Sequence, residues 1–407
     1  MGSFFYDILL FLLTACTCFG EFGGALQIDR ALAILFLPLL FLVIREKGCG
    51  YVRNIVVIFS LFYLFCIVSV AWTPDLTEAV KELFYYPVHF ALFLEIIAFA
   101  RYARNPQKSI VSGWLVAVLL CSVVAAWEMM TGNHLSVAKE QADEYNTGAA
   151  VLEHFTASVT FGNYNSFVTF LCYSMPWLFW ILMKKEKSFW SMSMTVVAIV
   201  SAFLFTLLNA SRGGLISQLV MFFIVLVSSP MTKLKYLLCA ISLLLVGYVL
   251  ITYGEILTAV MEARLADGGM FDGESRYTIW ANALNTFWRS WGLGVGIGGM
   301  NEAMGQWADG EITVTHNIFL ELLLQYGLVF FFVFVLAICK LFRSSLLVSD
   351  KRSKVAVLMA LLCMPIYGII DSTYLLKPQL YVLFATIYVF VNSEQIKCHH
   401  QVLLKTS

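Results

Sequence analysis

Hydrophobic positions in this chain do not alternate with polar ones. They run together in blocks, at residues 4–20, 30–44, 54–72, 83–100, 110–130, 165–183, 189–209, 213–230, 236–253, 317–339, 355–371 and 379–393. Most of these blocks match the roughly 17–25 apolar residues that a helix needs to cross a bilayer. The pattern predicts an all-α polytopic membrane protein with about 12 transmembrane helices, forming a single membrane domain over residues 1–407. One polar stretch has a different periodicity. From Glu274 to Phe287 the apolar residues Ile279, Trp280, Ala283, Leu284 and Phe287 recur at helical spacing, which predicts an amphipathic helix placed to lie along the membrane surface.

The connections divide into two kinds. Alternate ones carry Arg45, Lys47 and Arg53; Arg101, Arg104 and Lys108; Lys184, Lys185 and Lys187; Lys233 and Lys235; and Lys340, Arg343, Lys351, Arg352 and Lys354; the tail adds Lys397 and Lys405. Lysine and arginine accumulate on the cytoplasmic side, so these loops and both termini are read as cytoplasmic. The intervening connections then lie outside, and two are long, at 131–164 and 253–316. Cations such as Arg30, Lys81, Arg212, Arg276, Arg289 and Lys377 stand on that side against the charge bias. A partner or a ligand explains them better. Long polar loops carry function more often than short turns, so the chemistry is expected on the outer face.

Composition agrees with the block pattern: 60% of the 407 residues are hydrophobic and 13% charged, with a mean hydropathy of +0.82. Lys plus Arg and Asp plus Glu are equal at 26 each, so the balance points to no nucleic-acid partner. The ten cysteines fall in apolar runs or beside basic loops, and none lies in an outer segment, so no disulfides are expected. The first apolar block has no basic region before it and no small-residue cleavage site after it, and reads as a retained span.

Three places hold residues suited to chemistry. Arg212 sits in Asn209-Ala210-Ser211-Arg212-Gly213-Gly214. Its guanidinium can pair bidentately with phosphate oxygens, or it can simply reach lipid headgroups from a helix end. Arg276 opens the amphipathic helix, facing either the interface or a salt bridge to Glu274 or Asp272. His316, in Thr315-His316-Asn317, follows the long outer loop, and an imidazole there is either a general base or a hydrogen-bonded structural group. Asn317, Glu321 and Gln325 continue as a polar stripe that must face other helices or a wet cavity. His89, Glu95, Glu128 and Asp371 are placed to line the same cavity. Gly292, Gly294, Gly296, Gly298 and Gly299 lack the strand that a dinucleotide fingerprint requires, and read as a flexible turn or a close helix contact. No His, Cys, Asp or Glu spacing marks a metal site.

In chain order, Ser211-Arg212-Gly213-Gly214, Arg276-Tyr277-Thr278-Ile279-Trp280, Gly294-Val295-Gly296, and Thr315-His316-Asn317 with Leu320 and Gly327 resemble the bacterial O-antigen ligase and O-antigen polymerase superfamily. Ala71-Trp72-Thr73-Pro74-Asp75 and Phe161-Gly162-Asn163-Tyr164-Asn165 are fainter echoes. The resemblance implies a GT-C-like helical fold with a long periplasmic loop between helices 9 and 10. It also implies an inner-membrane glycosyltransferase that needs no metal or other cofactor and works at the periplasmic face. The donor would be a glycan on undecaprenyl diphosphate, and the acceptor a sugar hydroxyl on a lipid-linked repeat or on lipid A-core. Carried over, Arg212 and Arg276 would hold the diphosphate and His316 would take the hydroxyl proton. Ser211, Gly213, Trp280, Asn317 and Glu321 would line the substrate site.

The outer side carries many more acidic than basic residues on this topology. That is a poor surface for phosphorylated lipid A-core, and it favours a polymerase of repeat units over a ligase. A lipid-linked-oligosaccharide flippase is the alternative of another class. It would cluster charges mid-membrane and often shows related halves, whereas here Glu95 alone lies deep in a span and no internal repeat is visible.

Overall fold

The computed structural model describes residues 3–24, 26–47, 50–135, 156–184, 188–228, 247, 273–307, 314–394 and 396. The predicted ninth span, 236–253, lies outside the described residues save residue 247, as do 136–155, 253–272 and 308–313 of the two long connections. Every regular element among the described residues is helical. In chain order these are α1 (Ser3–Ala15, continued by a 3-10 turn, Cys16–Phe19), α2 (Ile28–Lys47), α3 (Arg53–Ser69), α4 (Leu76–Ala100), α5 (Pro106–Thr131), α6 (Tyr164–Leu182), α7 (Phe189–Leu208), α8 (Arg212–Ser228), α9 (Gly273–Arg289), α10 (Met300–Trp307), α11 (Ile318–Leu346), α12 (Lys351–Leu362), α13 (Met364–Tyr367), a second 3-10 turn (Tyr374–Leu376) and α14 (Pro378–Val391).

Five of them, α4, α5, α6, α7 and α11, are long and apolar enough to cross a membrane. Segment α1 with its 3-10 turn, α3, α8 and α14 are shorter apolar helices. The chain is a multi-pass membrane protein. One predicted span is corrected: the block 355–371 is two helices, α12 and α13, interrupted at Cys363. Pro365, in the first turn of α13, has no N–H to continue the ladder of α12. The chain after Gly368 then turns through 369–377 before α14 starts.

Helix α6 is buried along nearly its whole length and forms the centre of the bundle. It has no charged residue, and Ser174 returns its hydroxyl to the Phe170 carbonyl at 2.9 Å, so that hydroxyl is satisfied within the helix. Trp177 packs against Phe390 of α14 with ring centroids 4.9 Å apart, and Phe170 against Phe161 at the same separation.

Helix α11 is broken from within. Asn317 caps it, accepting N–H bonds from Phe319 and Leu320 at 3.0 and 3.3 Å, but Gly327 (φ 77°, ψ −178°) interrupts the helix. The Leu324 and Gln325 carbonyls instead accept the N–H groups of Val295 and Gly296 at 2.8 and 3.1 Å. Gly292 in turn accepts the Leu328 N–H at 3.0 Å. The glycine cluster is therefore the close helix contact of the two expected arrangements, with its backbone laid into the gap in α11. On its other side, Thr73 donates to the Ile297 carbonyl at 2.7 Å and Trp72 to that of Gly294 at 3.1 Å. The faint Ala71-Trp72-Thr73-Pro74 echo is thus the second wall of the same seat.

A side chain at Gly294 has no room: its φ is 85°, and a Cβ there would lie 2.6 Å from the Gln325 carbonyl oxygen. Gly294→Ala is expected to cost about 2–4 kcal/mol through combined strain and overpacking, seen as a lower thermal unfolding temperature of the detergent-solubilised protein.

Candidate functional site

The site is built on the turn between α13 and α14. The Gly368 carbonyl accepts the N–H of Ile318, the first residue of α11, at 2.9 Å. The next carbonyl, of Ile369, accepts from the Arg276 guanidinium at 3.0 Å. Ile370 then lies under the glycine that follows Arg212, so close that a Cβ on Gly213 would sit 3.0 Å from its side chain. Three segments far apart in sequence, 211–214, 276–280 and 315–318, therefore meet on three consecutive residues.

The turn is held from below. Glu321, buried, accepts the N–H groups of Tyr374 and Leu375 at 3.1 and 3.2 Å. Asp371 pairs with Lys377, and Ser166 joins both, accepting from the Lys377 ammonium at 2.7 Å and donating to Asp371 at 3.2 Å. The outer cation Lys377 thus has an internal partner. Arg30 behaves alike: its Nε donates to His89 at 2.9 Å, its fork reaches the Leu376 carbonyl at 3.0 Å, and its plane lies 3.6 Å over the Tyr85 ring.

Arg276 opens α9 exposed, while Ile279, Ala283 and Phe287 are buried against α10 and α11. Trp280 donates from its indole to the Thr315 carbonyl at 3.0 Å. That bond at one end and Gly292–Leu328 at the other set α9 lengthwise along α11, running in the same direction. A helix lying flat along the membrane surface is thereby corrected: the apolar stripe is turned to a neighbouring helix.

His316 has left-handed backbone, φ 45°, which a residue with a Cβ rarely adopts. Its Nδ1 is buried without a hydrogen-bond partner. Burial first, then the Arg276 guanidinium, push the imidazole below its usual 6.5; Asp371 opposes this and Lys377 adds to it. The ring is held neutral, with a nitrogen free to accept a proton.

Of the other expected residues, Ser211 is buried and its carbonyl takes the Leu215 N–H at 2.9 Å, while Arg212 starts α8 exposed. Asn317 is engaged as the cap of α11 and Glu321 with the turn. His89 reaches the site through Arg30. Glu128 belongs to another connection, accepting the N–H groups of Ser158 and Val159 at 3.0 and 2.9 Å. Glu95 is buried in α4 without a hydrogen-bond partner. Sequence reasoning missed Ser166 and Glu21. Glu21 lies against Gly162, where a Cβ would be 2.5 Å from its carboxylate, and burial raises its carboxyl above the usual range while Lys377 opposes the rise. No spacing rule singles out either residue. Among the described residues, no group of three or more His, Cys, Asp or Glu converges as a metal would require.

Residues 197–335 match the family model described as O-Antigen ligase. That match supports the likeness to the O-antigen ligase-related superfamily. The chain is also similar to the teichuronic acid biosynthesis protein TuaE of Bacillus subtilis (strain 168), 22% identical over 353 residues, which cover 79% of this chain and 69% of that protein. The part matching the O-antigen ligase family holds Arg212, Arg276 and His316, while Ser166 precedes it and Asp371 and Lys377 follow it.

Arg276 can be tested as the electrostatic neighbour of the imidazole. Diethyl pyrocarbonate modifies neutral histidine, and the pH at half-maximal modification of His316, read by peptide mass spectrometry, is expected below 6.5. In Arg276→Gln that midpoint moves up toward 6.5, because one of the two main causes of the depression is gone.

Proposed function

We propose that this protein is a membrane glycosyltransferase of surface-polysaccharide biosynthesis. It moves a glycan from an undecaprenyl-diphosphate-linked donor to an acceptor sugar hydroxyl at the periplasmic face of the bacterial inner membrane, with both termini cytoplasmic. The observation that carries this reading is the meeting of Arg276, the Ser211-Arg212-Gly213 turn and the segment bearing His316 on residues 368–370. The match to the O-antigen ligase family model supports the same class of donor.

In this reading the acceptor oxygen attacks the anomeric carbon of the donor sugar, and the bond from that carbon to the diphosphate oxygen breaks. The hydroxyl proton passes to the unpartnered Nδ1 of His316. Negative charge gathers on the departing lipid diphosphate, where the guanidiniums of Arg276 and Arg212 stabilise it in a partly dry site. Neither arginine can be deprotonated to escape that role. The chain's own cations suffice for the leaving group, so no step is assigned to a metal.

The acidic outer side favours a polymerase that adds to another lipid-linked repeat. A ligase acting on lipid A-core is the second reading, favoured by the description of the matching family. The assay uses purified full-length protein with undecaprenyl-diphosphate repeat units, with lipid A-core added in one arm. Lengthening without core is the expected result, and product formed only with core assigns the ligase. His316→Ala is expected to lower turnover about 10²–10⁴-fold, the usual contribution of a positioned base. Arg276→Ala should lower it about 10²–10³-fold. Glu302→Gln, exposed on α10 with its carboxylate accepting from Gln306, should keep wild-type turnover. Normal turnover in both site variants would overturn the assignment.

A further inference from the structure

The glycine segment has a property that a water-exposed loop does not need. Every backbone N–H from Trp291 to Gly299 is bonded within the protein. Trp291, Gly292 and Leu293 donate to the carbonyls of Trp288, Phe287 and Ser290, Gly294 to the Ser290 hydroxyl, and Val295 and Gly296 to the gap in α11. Ile297 donates to the Ser69 hydroxyl at 3.0 Å, Gly298 to the Glu82 carboxylate at 3.1 Å, and Gly299 to the Gly296 carbonyl at 3.2 Å. An internal partner for every N–H is what non-helical backbone requires of its donors at membrane depth, where water supplies none.

Three helix registers give that depth independently, each measured from its basic end. Lys340 marks one boundary on α11, and the helical path from it back to Leu328 is about 18 Å. Of a hydrocarbon layer roughly 30 Å thick, about 12 Å remains beyond Leu328, whose N–H is bonded to Gly292. On α3, Arg53 to Ser69 covers about 24 Å, which sets Ser69 about 6 Å inside the far boundary. Gly296 lies on Ser69: a Cβ there would be 2.8 Å from its carbonyl oxygen. On α4, Arg101 to Ala79 covers about 33 Å, which places Gly298, packed on Ala79, at the boundary itself. The three agree on a segment that is deepest at Gly292 and rises through Gly296 to Gly298.

The side chains fit the same frame. Trp291 is 92% exposed, Trp288 69% and Leu293 62%, in line with Val329 (69%) and Phe332 (53%) on the outer wall of α11. In water this would be a costly apolar patch; beside a spanning helix it continues that helix's lipid-facing surface. Arg289, exposed in the last turn of α9, has a stem long enough to tilt back toward the N-terminus of that helix and bring its charge to the boundary.

We infer that α9, the glycine segment and α10 form a re-entrant hairpin, descending along α11 into the far leaflet, with Trp288, Trp291 and Leu293 seated among the acyl chains of the bilayer. Arg276 then stands at the polar end of a helix whose other end is in lipid. A lipid-borne substrate would keep its chain in the hydrocarbon while its diphosphate lies level with Arg276.

The test uses full-length protein in lipid nanodiscs, where both faces are open to reagent and the result does not depend on orientation or on activity. Trp291→Cys and Leu293→Cys are compared with Glu302→Cys for reaction with a water-soluble maleimide, each site read by mass spectrometry. Labelling of the first two is expected to be at least roughly tenfold slower, since a thiol in hydrocarbon does not ionise, and equal to that of Glu302→Cys after unfolding in SDS. Equal rates in nanodiscs would overturn the inference. Fluorescence keeps the native residue in play: the difference between wild type and Trp291→Phe should be quenched by lipids brominated at mid-chain. A difference signal unchanged by those lipids would equally overturn it.

Discussion

A backbone amide next to an apolar phase must find its partner inside the protein, and this chain meets that demand with helical glutamates. Glu128 of α5 takes the N–H groups of Ser158 and Val159, Glu82 of α4 that of Gly298, and Glu321 of α11 those of Tyr374 and Leu375. Each carboxylate is buried, and each fixes a different connection on the same side of the bundle. Among the described residues, the irregular segments bonded to these carboxylates are thus anchored to the helices. An apolar side chain in place of any one of them would leave a buried donor without its acceptor, which costs more than the bond itself contributed.

That rigidity allows the site to hold conformations that are unfavourable on their own. His316 keeps a left-handed backbone between the Trp280–Thr315 bond on one side and the Asn317 cap on the other. Strain of this kind, of order 1–3 kcal/mol, persists only where the surroundings over-determine it. The Asp371–Lys377 pair, sharing Ser166, adds a fixed dipole beside the imidazole and stiffens the turn from within. Charge placed before the reaction needs no reorganisation during it.

The helices were legible from hydropathy because their apolar blocks had to be long. The predicted 54–72 and 189–209 became Arg53–Ser69 and Phe189–Leu208 with small shifts at the ends. The amphipathic helix from Glu274 to Phe287 was legible from its periodicity, as Gly273–Arg289. Its direction was not: a stripe of Ile279, Ala283 and Phe287 reads alike whether it meets lipid or another helix. The break at Cys363 and the gap at Gly327 were hidden because single residues hardly alter the hydropathy of a long run. Glu321 stood out as one member of a polar stripe, yet its two backbone partners are more than fifty positions away, and no local spacing records them. The arginines and the histidine were visible through their resemblance to known motifs. What they share, the turn at 368–370, has no motif at all.

The contacts made by that turn to Ile318 and Arg276 come from main-chain carbonyls, which every amino acid carries. Its side chains are therefore free to change over evolutionary time, provided the path of the chain and the small residue at Gly213 persist. Residues at the rim can change while the distance between guanidinium and imidazole stays the same. Relatives that share few residues with this chain can in this way inherit one geometry.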